Sequence, residues 1–203
     1  MRVVALLTIS LFLLTGGCSQ QAPQEKTITI VNAAAVDAPL LERLRSFAEQ
    51  ELHVPVRTLE KPKLAGKKNF QTLEKASERV KTDADVTLIV LAGFNDEQKH
   101  LVVYSNRGIA IVNSLPLYTD DAEKFARRME RMIMRAAAFS FGMDPTPDPF
   151  CVTRDYRSLE DLDLMGLNYS PPWQGRFAEE AVQRGLIPAG SSGKKRLTAP
   201  PIR

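Results

Sequence analysis

The chain has 203 residues, with 27 Lys and Arg against 24 Asp and Glu, and 44% of its residues are hydrophobic. Acids and bases are interspersed and the formal net charge is +3, which leaves none of the one-sided basic surface that a nucleic-acid partner requires. The two cysteines are too few for a disulfide scaffold.

Arg2 precedes an apolar run from Val3 to Leu14, which is of secretory-signal length and too short to span a bilayer comfortably. It stops at Thr15-Gly16-Gly17-Cys18. Small residues before a cysteine, after such a run, resemble the lipobox of bacterial lipoproteins. The resemblance implies a signal peptide over 1–17, cleavage before Cys18 and lipid attachment to that residue. Residues 18–26 would be the lipidated cysteine and a polar linker. Ser19 after the cysteine implies the outer membrane of the cell envelope, facing the periplasm, with the membrane as partner through a stable acyl tether. Cys151 is then unpaired, and no internal disulfide is expected.

The remaining chain suits one domain. β-Branched Lys26 to Asn32 reads as a first strand. Leu40, Leu41, Leu44, Phe47, Ala48 and Leu52 recur at helical spacing, with Asp37 as N-cap. Val54 to Glu60 is a second strand, and a basic loop broken by Pro62 and Gly66 follows. Asn69 to Lys81 predicts a weakly amphipathic helix. The apolar run Ala84 to Gly93 fits a strand buried on both faces. Two further strands flank the turn signal Asn106-Arg107-Gly108. The order is that of an α/β layered fold with a mixed, mostly parallel twisted sheet and flanking helices.

The longest helical pattern opens near Asp120, with Glu123 three residues on as a capping box, and closes at Gly142 before Pro145. Its stripe of Phe125, Met129, Met132, Ile133 and Ala136 reads as core packing. Arg127, Arg128, Arg131 and Arg135 fall on the opposite face or flank. Ser158 and Asp161 predict a short helix from Leu159 to about Met165. The segment 174–203 is expected to be a partly disordered tail with one or two helical turns near Phe177 to Arg184.

In this order the segments over 27–173 resemble the archaemetzincins, small zinc peptidases. The resemblance is carried by Phe141-Gly142, Cys151-Val152, Arg154, Ser158-Leu159-Glu160, Asp163, Gly166 and Asn168-Tyr169 at matching spacing. It implies a metzincin-like fold with a long former active-site helix. The family motif is H-E-x-x-H-x-x-G-x-x-H, in which three histidines hold zinc and the glutamate takes a proton from bound water. Registered on Gly142, Arg135 stands at the first histidine, Ala136 at the glutamate, Phe139 at the second histidine and Pro145 at the third. No catalytic residue, metal or cofactor is therefore expected. The family's second, cysteine-bound zinc keeps only Cys151; Thr146, Ser170 and Trp173 occupy the other positions, and Thr153 replaces the methionine beneath the catalytic metal. Losing such a metal forfeits on the order of 10 kcal/mol of coupled folding energy, so packing must hold the loop, with Tyr169 and Trp173 as candidates to fill the space.

Arg135 has two readings: a carboxylate-gripping residue in the old cleft, or part of a solvated arginine face paired with Glu130 or nearby acids. The second is the expectation, because helix-surface arginines are usually exposed. His53 and His100 lie outside the motif and are expected at the surface. Three functions compete: a degenerate peptidase that binds peptide or protein partners, a hydrolase with relocated acids such as Asp144 and Asp155, and a structural envelope lipoprotein.

Overall fold

The computed structural model describes residues 25–60, 64, 66–95 and 98–187. The lipidation pattern at Cys18 and the last part of the expected tail lie outside the described residues.

Among the described residues, five strands form one sheet in the order β2-β1-β3-β5-β4. They are β1 (Thr27–Asn32), β2 (Val56–Glu60), β3 (Asp85–Ala92), β4 (Leu101–Tyr104) and β5 (Ile109–Asn113). β1 runs parallel to both β2 and β3, and β3 parallel to β5. Only β4 is antiparallel, pairing Leu101 with Val112 and Tyr104 with Ile109. The expected α/β fold with a mostly parallel mixed sheet is the one observed. Parallel pairing needs crossovers, and α1 (Ala38–Leu52) and α2 (Phe70–Glu78) supply the first two.

Both sheet faces are covered, so β1, β3 and β5 are almost wholly buried. On one face Ile28, Ile30, Ile89 and Val112 meet Leu44 of α1 and Met129, Met132 and Ile133 of α3 (Ala122–Ser140). On the other, Val31, Val90 and Ile111 meet Phe70 and Leu73 of α2. The methionines of α3 are fully buried, as unbranched side chains that fill irregular gaps.

Local chemistry sets the helix ends. Asp37 accepts from the Leu40 amide at 2.8 Å, and Ser158 caps α4 (Leu159–Asp163) through the Asp161 amide. The cap of α3 is Asp121, which accepts from the Lys124 amide at 3.0 Å, rather than Asp120. The helix begins one residue later than the capping-box spacing suggests, and the side chain three residues before Lys124 takes the role. α2 stops three residues short of Lys81, because the amides of Val80 and Lys81 both turn back to the Ser77 carbonyl. α3 stops at Ser140 with Phe141 as its cap, and Gly142 next to it turns the chain with a φ of 76° that is cheap only for glycine. The Met143 amide then closes back on the Ala138 carbonyl at 3.1 Å.

In the tail, the one or two helical turns expected near Phe177 to Arg184 are part of a longer helix. Residues Pro171–Gln183 form a 13-residue helix, α5. Its Phe177 and Ala181, with Leu186 beyond it, are buried in the main core. A boundary at 173 therefore cuts through an element that belongs to the domain. Pro171 and Pro172 sit in the first helical turn, where proline has no bond to lose and its fixed φ suits the helix. No helix among the described residues is long and apolar enough to cross a membrane.

Candidate functional site

α3 is the spine of the site. Arg128, Arg131 and Arg135 are only 4%, 8% and 6% exposed, which overturns the solvated arginine face. Their three- and four-residue spacing puts them on one side of the helix, and the chain after Gly142 folds back over that side. Arg128 donates through Nε and Nη2 to both oxygens of Asp163, at 2.8 and 2.7 Å, and through Nη1 to the Leu117 carbonyl. Arg131 donates to the carbonyls of Asp163 and Met165, at the end of α4. Arg135 donates through Nη1 to the carbonyls of Val152 and Arg154, at 2.8 and 2.5 Å. Glu130, the expected partner of such a face, instead pairs with Arg43 of α1 at 2.8 Å.

The Arg135 guanidinium lies between two rings, 5.0 Å from the centroid of Phe139 and 4.9 Å from that of Tyr156. Burial lowers its pKa, while the nearby Tyr156 and Asp155 push it back up; arginine nonetheless keeps its proton. Tyr156 contacts His100, with its Oη 2.6 Å from Nδ1 and the two rings stacked at 5.7 Å. Burial also depresses the His100 pKa, and the charges of Arg128 and Arg135 depress it further, so the imidazole is neutral at neutral pH. Burial raises the Tyr156 pKa against the pull of Arg135, and the phenol stays protonated.

These groups line an open cavity of about 370 Å³ with Lys99, Leu101, Val103 and Phe139. One wall is β4, the edge strand; the other is the last turn of α3. Four positions assigned by the family motif thus have different fates. Arg135 and Phe139 meet at the cavity. Ala136 is fully buried in the core. Pro145 is exposed and lies in a separate hollow with Thr146, Pro147, Arg154 and Asp155. Asp144 is also exposed, and its carbonyl accepts from Trp173 Nε1 at 2.9 Å.

Lys99 and Tyr156 carry no mark in the sequence. His100 was expected at the surface, yet it is half buried against Tyr156. The available signal was its place at the mouth of an edge strand that borders the helix end. Nothing local in Asp155-Tyr156-Arg157 marks Tyr156. His53 behaves as expected, exposed at the end of α1 in the left-handed region.

The fold family implies a catalytic zinc, and these residues do not fit one. A protonated guanidinium repels a cation, an alanine and a phenylalanine offer no ligand, and Pro145 lies elsewhere. Among the described residues no three His, Cys, Asp or Glu side chains come together as a metal site. The second zinc position fares likewise. Cys151 is fully buried and free, with Sγ 3.1 Å from Thr153 Oγ1 and accepting from the Ser170 amide at 3.3 Å. One thiol among hydroxyls cannot complete a tetrahedral site.

Packing and hydrogen bonds hold the loop. The Val152 amide donates to the Asn168 carbonyl. Gly166 allows the two segments to touch, since a Cβ there would come within 1.9 Å of the Phe150 carbonyl oxygen. Tyr169 is buried, donates to the Met134 carbonyl at 2.7 Å and packs against Phe177 at 5.4 Å. The space near the cysteine is therefore filled by Tyr169 with α5, while Trp173 is only half buried.

No family model matches this sequence, and no curated protein does. Solved structures do. Archaemetzincin from Methanopyrus kandleri superposes with a TM-score of 0.62 at 13% identity, covering 80% of this chain and 99% of that one. A zinc-dependent peptidase from Methanocorpusculum labreanum gives 0.58 at 15% identity, covering 74% and 99%. Archaemetzincin from Archaeoglobus fulgidus, solved in complex with malonate, gives 0.58 at 14%, with the same coverage. The domain has the archaemetzincin fold, over almost the whole length of those proteins.

Proposed function

We propose that this chain is an envelope lipoprotein, tethered through Cys18, whose archaemetzincin-like domain binds peptide or protein segments without cutting them. The observation that carries this reading is Arg135. It stands at the first metal-ligand position of the family motif, is buried, and is fixed by two backbone carbonyls and two aromatic rings. A cation there would have to displace a permanently charged group, and Ala136 offers no base for a water molecule. What survives is a cleft beside β4, a free sheet edge among the described residues that can accept an extended segment by strand addition.

The test is direct. The full-length protein, purified in detergent, is assayed for bound transition metal and for cleavage of a mixed peptide library with and without chelator. The reading requires metal well below one equivalent and no chelator-sensitive cleavage. One tightly held equivalent of zinc, or hydrolysis lost on chelation, would overturn it.

A further inference from the structure

We propose that the cavity between β4 and the end of α3 is a carboxylate-binding pocket, with the Nε–Nη2 edge of Arg135 as its principal donor. This rests on the peptide-binding reading above and names the chemistry of the ligand. A guanidinium has two flat faces and a rim of donors in fixed directions. At Arg135 the guanidinium carbon lies over the rings of both Phe139 and Tyr156. Nη1 is spent on the carbonyls of Val152 and Arg154. Nε and Nη2 have no partner among the described residues, and they form the side-on edge that takes a carboxylate through two parallel hydrogen bonds.

The charge balance agrees. Arg43, Arg57, Arg107, Arg128 and Arg154 each pair with an acid. Arg131 and Arg135 make no ion pair among the described residues; Arg131 spends Nε and Nη2 on carbonyls, whereas in Arg135 that edge is left open and Asp155 acts on it only through space. A nine-tenths buried cation left without a counter-ion is costly, and an incoming anion relieves that cost. Lys99 adds a second positive charge to the lining, next to His100, and Leu101 and Val103 add apolar side chains. A lone inorganic anion would use the charge and waste the apolar lining. A carboxylate carried on a peptide uses both, as either a C-terminus or an acidic side chain.

The test uses the ¹⁵N-labelled full chain in detergent micelles. Sodium acetate, N-acetyl-Val-Thr-Val with a free C-terminus, its C-terminal amide, and N-acetyl-Val-Glu-Val amide are titrated in turn. The signals followed are the Arg135 Nε–H resonance and the β4 backbone amides. The expected result is that the free acid or the Glu peptide shifts the Arg135 resonance and binds about tenfold tighter than the neutral amide, as a bidentate charged pair should. The tighter of those two identifies the source of the carboxylate. Arg135→Lys should erase most of that preference, and Lys99→Ala, at an exposed site, should weaken the charged peptides about twofold to threefold. If Arg135→Lys does not fold, the wild-type ligand series still decides.

Equal affinity for acid and amide, with β4 shifting and Arg135 unmoved, would overturn the carboxylate pocket and leave peptide binding standing. Acetate moving Arg135 while no peptide binds would support the pocket and remove the peptide reading. Silence from all four ligands overturns both.

Discussion

The two halves of α3 treat charge in opposite ways. Near its start, Arg43, Glu123, Glu130 and Arg127 form one connected set, and Arg128 closes a two-pronged pair with Asp163. Glu123, gripped by Arg43, is pulled down to a pKa of about 2. Near the end of the helix, Arg135 has carbonyls and rings but no acid partner among the described residues. Both arginines are buried and both tie the helix to the returning chain. The difference teaches that a buried cation serves structure where an acid or carbonyls take up its donors, as at Arg128 and Arg131, and is available to a ligand where a donor edge is left open, as at Arg135.

The sharpest way to break the comparison is to strand the matched arginine. Asp163→Ala leaves Arg128 buried without its acid, and breaking such a pair costs about 3–5 kcal/mol. The urea midpoint should fall accordingly. A loss under about 1 kcal/mol, the range of exposed pairs, would mean that the N-terminal half is not held by its charges.

Arg135→Met should cost far less. It removes two hydrogen bonds to carbonyls, worth about 1–2 kcal/mol together, but it also removes an uncancelled charge from the interior, which offsets part of that. The variant should remain folded by circular dichroism and unfold within about 1.5 kcal/mol of the parent, while losing any preference for charged peptides. A loss as large as that of Asp163→Ala would make Arg135 a structural clamp first.

The pH dependence separates the halves in a third way. Hydrogen bonding by Arg128 lowers the Asp163 pKa. Burial alone would raise that of Asp85, but hydrogen bonds from Thr29, Thr82 and Arg57 outweigh it and the net shift is downward. A carboxylate depressed in the folded state contributes stability that is complete above its unfolded pKa and is lost as pH falls through the folded one. Stability should therefore hold from neutrality to about pH 4 and decline below it. Asp163→Ala should flatten that decline, whereas Arg135→Met should leave it unchanged. An equal effect of both would remove the distinction.

Much of the fold was legible because its signals are local. β-Branched runs marked the strands, the Met129, Met132 and Ile133 spacing marked the buried face of α3, and Gly142 marked its end. The environment of Arg135 was not legible. A helical wheel gives the direction of a side chain, but whether that flank is wet depends on residues 150–169 folding back across it, and on Gly166 permitting the approach. α5 was read only in its second half, near Phe177 to Arg184, for a related reason: Pro171 and Pro172 break a helix in its interior and start one at its first turn, and the sequence alone does not say which applies.

The smallest effect is expected at Cys151, where the family resemblance implied a metal and the structure offers a lone buried thiol. Cys151→Ser keeps a small group able to bond Thr153 and the Ser170 amide, so stability should change by no more than about 1 kcal/mol. Added zinc is the more decisive probe. A ligand that binds only the folded chain stabilises it in proportion to the logarithm of its excess over Kd, about 2.7 kcal/mol at a hundredfold excess. One thiol beside two hydroxyl residues should give no such gain, and the urea midpoint should be the same with micromolar zinc as with chelator. A zinc-dependent rise that Cys151→Ser abolishes would mean that the loop still gathers a metal site. The packing of Tyr169 and Phe177 would then be a supplement to the metal and not its replacement.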